Sequence, residues 1–209
     1  MVRESMMTKP TTVVFDIGHV LIEWDPRNLY RDLFDGYEDL MEDFLDNVCT
    51  PAWNLEQDRG RPWDEAVAVL TAEFPDCREL IRAYHERWGE MVPGPVAGTP
   101  DILMELKQRG TPLYSITNFS SDKLALTRRR FDFLNVFDGM IVSGDEKLVK
   151  PDPAIFQLLL DRYGLRAADC VFIDDSPANV EAARNIGMTA HRFSGAASLR
   201  TELEELGLL

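Results

Sequence analysis

Positive charge is scarce in this chain. Twenty-two lysines and arginines face thirty-six aspartates and glutamates, which leaves a formal charge of −14 over 209 residues. Such a field repels phosphate backbones and anionic bilayers, so nucleic acid and membrane surfaces are set aside as main partners. Long apolar runs are missing too. The most apolar N-terminal segment is interrupted by Asp16 and His19, and neither a secretory leader nor a membrane span is expected. Cysteine is sparse: Cys49, Cys77 and Cys170 have no metal-ligand spacing, and an odd number without a leader is expected of reduced thiols in the cytoplasm. Internal repeats and low-complexity tracts are absent. What remains is an ordinary globular composition, 45% hydrophobic, long enough for one good core and a smaller satellite domain. The acidic balance creates a difficulty for any anionic substrate, because local cations must outweigh the global field. A bound metal is the simplest remedy.

Val13-Val14-Phe15 reads as a short buried strand, and Asp16 stands at its end. The next convincing strand is Leu113 to Thr117. Between them the pattern is helical: Leu29, Leu33 and Phe34, then Leu40, Phe44, Leu45 and Val48, then Ala66, Val67, Val69 and Leu70, then Leu80, Ile81, Tyr84 and Trp88. The stretch from Met91 to Pro100 is rich in glycine and proline and reads as a return. Residues 22–93 are therefore expected to be a helical insertion, with 1–21 and 94–209 forming the main domain. From Asp101 onward helices and strands alternate. Strands are expected at 139–142, 170–173 and 189–191, and helices at 101–108, from 121 or 122 to about 131, from 153 to before Gly164, at 177–186 and from about 197. This alternation predicts an α/β fold with a doubly wound, Rossmann-like parallel sheet.

Polar residues recur where the apolar runs stop: Asp16, then Thr117-Asn118, then Lys150, then Asp174-Asp175. Parallel strands point their carboxyl ends the same way, so these groups can share one crevice. Taken singly, each has an ordinary explanation. A strand-end aspartate caps helices, Thr-Asn forms turns, a lysine before proline is a solvated loop residue, and Asp-Asp-Ser-Pro starts a helix. None of these explains all four in order. Three carboxylates, a hydroxyl, an amide and an ammonium suit a divalent, oxygen-loving cation beside a bound oxyanion.

The stretches Phe15-Asp16-Ile17-Gly18-His19-Val20, Ser115-Ile116-Thr117-Asn118, Val149-Lys150-Pro151-Asp152-Pro153 and Phe172-Ile173-Asp174-Asp175-Ser176-Pro177-Ala178-Asn179 resemble, in order and spacing, the four motifs of the haloacid dehalogenase superfamily. The resemblance covers the whole chain and makes residues 22–93 a cap domain. Asp58-Arg59-Gly60 is similar to a stretch in the small-capped sugar-phosphate phosphatases of the α-D-glucose-1-phosphate phosphatase kind. The resemblance implies that Asp16 attacks phosphorus and forms an aspartyl-phosphate. It implies that Lys150 and Mg²⁺ neutralise charge. Thr117 and the amides of Ile17, Gly18, His19 and Asn118 would cradle the phosphoryl oxygens. Asp16, the Gly18 carbonyl and Asp175 would hold the metal, with Asp174 ligating or just behind and Asn179 on a metal-bound water. The implied partner is a small phosphorylated metabolite, and the chain would act as a monomer or homodimer.

Gly18 departs from that pattern. Phosphatases of the superfamily usually carry a second aspartate there, which protonates the leaving group, and such help is worth roughly 10²–10⁴-fold. Three consequences are open. The leaving group is good, as in an anomeric sugar phosphate. Or another residue substitutes: His19, or Asp25, Glu56 or Asp58 from the insertion. Or the reaction is that of a metal-independent 2-haloacid dehalogenase, whose halide leaves unprotonated. Asp174-Asp175 weighs against the last, because clustered carboxylates repel unless a cation or proton joins them. A binding or regulatory module that has lost turnover is a further alternative. For the insertion, Trp53 and Arg59 are expected on the substrate pocket, in a loop spanning Ala52 to Gly60.

Overall fold

The structure, a computed structural model, describes residues 9–209; residues 1–8 of the segment 1–21 lie outside the described residues. Five strands form one fully parallel sheet: β1 (Thr12–Phe15), β2 (Leu113–Thr117), β3 (Gly139–Val142), β4 (Cys170–Asp174) and β5 (Thr189–Arg192). Their order is β3-β2-β1-β4-β5, with β1 at the centre. The chain leaves β1 toward one edge and later returns to the other side, so the carboxyl end of β1 is the topological switch point where such sheets open a crevice.

Alternation along β1 explains why Val13, Val14 and Phe15 are apolar in succession. Val13 and Phe15 join a cluster with Ile102, Leu103, Leu106, Leu199 and Leu203, while Val14 points the other way onto Ile155, Phe156, Leu159 and Phe172. The first face is covered by α6 (Thr99–Gln108) and α11 (Ala196–Leu206), the second by α9 (Pro153–Tyr163) and α10 (Pro177–Asn185). Phe156 and Phe172 meet edge-to-face at 5.2 Å, and burying each contributes roughly 1.5–3 kcal/mol.

The segment between β1 and α6 is helical, as the apolar periodicity predicts: α1 (Arg27–Leu33), α2 (Glu38–Asn47), α3 (Pro51–Asp58), α4 (Trp63–Glu73) and α5 (Arg78–Glu86). Its buried residues Tyr30, Phe44, Trp63 and Tyr84 run continuously into the sheet's first apolar cluster. The expected loop from Ala52 to Gly60 is a correction. Thr50 accepts a hydrogen bond from the Trp53 amide at 3.0 Å and Pro51 occupies the first helical position, so this stretch folds as α3. Entry and exit of the insertion run side by side: the Glu23, Asp25 and Val96 amides donate to the Gly94, Met91 and Leu21 carbonyls. Two further helices, α7 (Ser121–Arg130) and the short α8 (Ser143–Glu146), follow β2 and β3. No described helix is long and apolar enough to cross a membrane. The three cysteines form no disulfide.

Candidate active site

Strand register brings the acidic residues together. Phe15 pairs with Ile173, so the next residues on the two strands, Asp16 and Asp174, stand side by side, and the Asp16 amide continues the ladder onto the Ile173 carbonyl at 2.9 Å. Lys150 arrives on the loop before α9. Its Nζ lies 2.8 Å from Asp16 Oδ1 and donates to Asp174 Oδ2 at 2.7 Å. All three are buried, with 8%, 0% and 3% of Asp16, Asp174 and Lys150 exposed. Asn118, just past β2, fastens the lysine loop: its side-chain amide donates to the Lys150 carbonyl at 3.1 Å and its Oδ1 accepts from the Lys150 amide at 2.8 Å.

The two neighbouring aspartates differ. Asp174 is saturated by donors: Lys150, the Ser176 amide at 2.9 Å, and Asn179 Nδ2 at 3.0 and 3.1 Å. The Asp175 carboxylate makes no hydrogen bond or ion pair among the described residues. One oxygen from each of Asp16, Asp174 and Asp175 lies within 4.8 Å of the others. Three carboxylates against one ammonium leave a local deficit of positive charge, and an all-oxygen donor set of this kind fits Mg²⁺. Burial pushes the Asp16 carboxyl up to about 7 despite the lowering pull of Lys150, and the Asp174 charge adds to the rise. Burial opposes the Lys150 charge, but Asp16 and Asp174 outweigh it and hold its pKa above the ordinary lysine value.

Two polar features beside this cluster make no hydrogen bond in the structure. Thr117 Oγ1 at the end of β2 is buried and without a hydrogen-bond partner, a costly state unless a bound acceptor or donor completes it. Gly18 commits neither its N–H nor its carbonyl to the hydrogen bonds of its loop. The Ile17 amide instead donates to Asp16 Oδ1 at 2.7 Å and the His19 amide to the Ile22 carbonyl at 2.8 Å. Of the three amides expected here to cradle a phosphoryl group, the Ile17 amide is thus engaged by the Asp16 side chain and the His19 amide by the tight turn in which His19 has φ 57°, which leaves that of Gly18 free.

A cavity of about 200 Å³ opens over this cluster. Asp16, Gly18, Asn118, Lys150 and Asn179 line its polar side. Trp24, Trp88 and Phe119 give it an aromatic wall, with Trp88 and Phe119 5.4 Å apart. His19, Asn54 and Asp58 complete it. Residues 10–187 match the haloacid dehalogenase-like hydrolase family. The chain belongs to that family. A sesquiterpene phosphatase of Aspergillus oryzae is 26% identical to this hydrolase over 203 residues, covering 96% of this chain and 98% of the relative. A phosphorylated carbohydrates phosphatase of Thermotoga maritima is 23% identical over 178 residues, covering 84% and 81%. A solved family enzyme of Bacteroides thetaiotaomicron, in complex with magnesium and inorganic phosphate, superposes with a TM-score of 0.67 at 21% identity, over 89% of this chain and 95% of that one, which speaks for the fold.

The insertion contributes differently from expectation. Trp53 and Arg59 are not on the cavity wall of this hydrolase. On helix α3 the Trp53 ring turns inward against Tyr84 at 5.2 Å and Trp63 at 5.9 Å, and Arg59 projects outward to Glu56 at 3.5 Å. Asp58 reaches the cavity instead, with Asn54 one turn earlier donating to its Oδ2 at 2.9 Å. Asp25 accepts from the Arg27 amide at 2.9 Å and pairs with the Arg27 guanidinium at 3.3 Å. The His19 ring is exposed and meets Trp24 edge-on at 6.1 Å. Ser143, which the sequence reading passed over, buries its hydroxyl between the Phe119 amide and the Asp58 carbonyl. Its signal was its place, directly after β3 at the same sheet edge.

Proposed function

We propose that this hydrolase is a Mg²⁺-dependent phosphatase of small phosphoesters, with Asp16 as nucleophile and residues 22–93 as a cap over the site. The carrying observation is the buried triad: Lys150 bridges Asp16 and Asp174 while Asp175 stands unengaged within 4.8 Å. Asp16, Asp175 and the Gly18 carbonyl would hold the cation, with Asp174 behind them, and the bound ion supplies positive charge to the phosphoryl group. Lys150 keeps Asp16 oriented and adds its own charge, and the Thr117 hydroxyl and Gly18 amide donate to phosphoryl oxygens. Asp16 then displaces the ester oxygen from phosphorus and forms an aspartyl-phosphate that water cleaves.

A sugar phosphate is the expected substrate class, in keeping with the carbohydrate-phosphate relative. The aromatic wall supports a second one, an apolar alkyl or prenyl phosphate, in keeping with the sesquiterpene phosphatase. The three cysteines without disulfides support work in the reducing cytoplasm. The test is phosphate release from sugar, alkyl and prenyl phosphates, with Mg²⁺ and with EDTA. Release is expected with Mg²⁺ only, and Asp16→Asn should lower it by at least about 10³-fold. Halide release from 2-haloacids that survives EDTA, with no phosphate release, would instead establish a dehalogenase.

A further inference from the structure

Gly18 leaves this hydrolase without a carboxylate two residues past the nucleophile, and the space such a side chain would occupy is open: a Cβ built there meets nothing within 4 Å. The acidic residues of the insertion that could compensate are Asp25, Glu56 and Asp58. Asp25 is engaged with the Arg27 amide and guanidinium and does not line the cavity, and Glu56 is exposed beside Arg59. Asp58 shares the cavity with Asp16 and Lys150.

Its position is built from both sides. Asn54 holds the carboxylate from within α3. The backbone is held from the core: the Ser143 hydroxyl donates to the Asp58 carbonyl, and Lys147 Nζ donates to the Gly60 carbonyl at 3.0 Å. Gly60, at φ +97°, lies so close to the α8 region that a Cβ would stand 2.1 Å from Lys147 Nζ and 2.4 Å from the Gly144 carbonyl oxygen. The Asp-Arg-Gly stretch thus delivers its acid to the cavity and its glycine to a contact no other residue fits.

We propose that Asp58 is the general acid and base of this hydrolase, standing in from the insertion for the carboxylate absent at Gly18. The assignment rests on the phosphatase reading above. Burial raises the Asp58 carboxyl to about 8 against the opposing Ser120 amide, and the Asp16 charge adds to the rise. Burial thus favours its protonated form, in a cavity whose other charged groups are Asp16 and Lys150, with His19 the remaining titratable side chain. As the Asp16 oxygen bonds to phosphorus, the P–O bond to the leaving group breaks, its electron pair stays on the ester oxygen, and the Asp58 proton joins it. The resulting Asp58 carboxylate takes a proton from the attacking water. The water oxygen bonds to phosphorus, the aspartyl P–O bond breaks, and its pair returns to Asp16. Inorganic phosphate leaves and both residues are restored.

The test compares two esters of different leaving group, 4-nitrophenyl phosphate and 2-phenylethyl phosphate, with Mg²⁺ present. Asp58→Asn keeps the size of the side chain. It should lose about 10²–10⁴-fold in kcat/KM on the phenylethyl ester and less than about tenfold on the nitrophenyl ester, whose retained turnover reports an intact fold. Gly18→Asp in the Asp58→Asn background should recover part of the phenylethyl loss. Equal losses on both esters, or no loss on the phenylethyl ester, overturn the assignment. So does a leaving-group-dependent loss in His19→Gln that Asp58→Asn lacks. Wild-type protein that turns over neither ester nor any phosphate of the wider panel overturns the phosphatase reading, and the assignment with it.

Discussion

The sheet edge and the insertion build the cavity by opposite means. At the sheet edge, Asp16, Lys150, Asp174, Asn118 and Asn179 exhaust most of their hydrogen-bonding capacity on one another. The insertion offers Asn54 and Asp58 beside aromatic surface, tied to the core through backbone carbonyls rather than through their side chains. On the proposed reading, a network whose members fix each other holds the atoms that react with phosphorus, where sub-ångström placement decides rate. A polar pair on a mostly apolar wall leaves the other end of the substrate free to vary. Strand register sets the polar side of the cavity, while the end of α3 and the rings of Trp24, Trp88 and Phe119 shape the rest of it.

Breaking the sheet-edge network should cost most. Lys150→Met strands two buried carboxylates. It should lower stability by about 3–5 kcal/mol, read as a lower midpoint in urea, and abolish turnover. Breaking the insertion's seat should cost less. Gly60→Ala forces a Cβ into Lys147 and the Gly144 carbonyl from a positive-φ position, with an expected loss of about 1–3 kcal/mol. Its activity should fall more on the phenylethyl ester than on the nitrophenyl ester, because Asp58 moves with the turn. The smallest effect sharpens the contrast. Thr117→Val removes a buried hydroxyl that has no partner, so thermal denaturation should find the ligand-free protein unchanged or more stable by up to about 1 kcal/mol. Its kcat should drop nonetheless. A destabilised Thr117→Val would mean that the hydroxyl serves the fold.

Much of the sheet edge was legible in the sequence because parallel register is a one-dimensional property. A short, mostly β-branched run such as Val13-Val14-Phe15 reads as a strand buried on both faces, which puts the residue after it at the edge. The five strands and the alternating helices after Asp101 follow from the same logic. The insertion was less legible. Trp53 and Asp58 sit on different faces of α3 and Arg59 follows its last residue, so only the helix phase decides which one meets the cavity. Reading Ala52 to Gly60 as a loop discarded that phase, although Thr50-Pro51 marks a helix start. The commitments of Ile17 and His19 were hidden for another reason: a turn that folds back onto Ile22 leaves no periodic trace.

The paired connectors that carry the chain into and out of the insertion bond to each other, Glu23 to Gly94, Asp25 to Met91 and Val96 to Leu21. They behave mechanically as one strap. Beyond the strap, the Ser143–Asp58 and Lys147–Gly60 bonds join the insertion to the region of α8, and the Trp63–Ser120 and Lys123–His85 bonds join it to the region of α7. Asp58 is therefore seated by contacts that Asp16, Lys150 and Asp174 do not share, so its seat can be altered without touching their geometry.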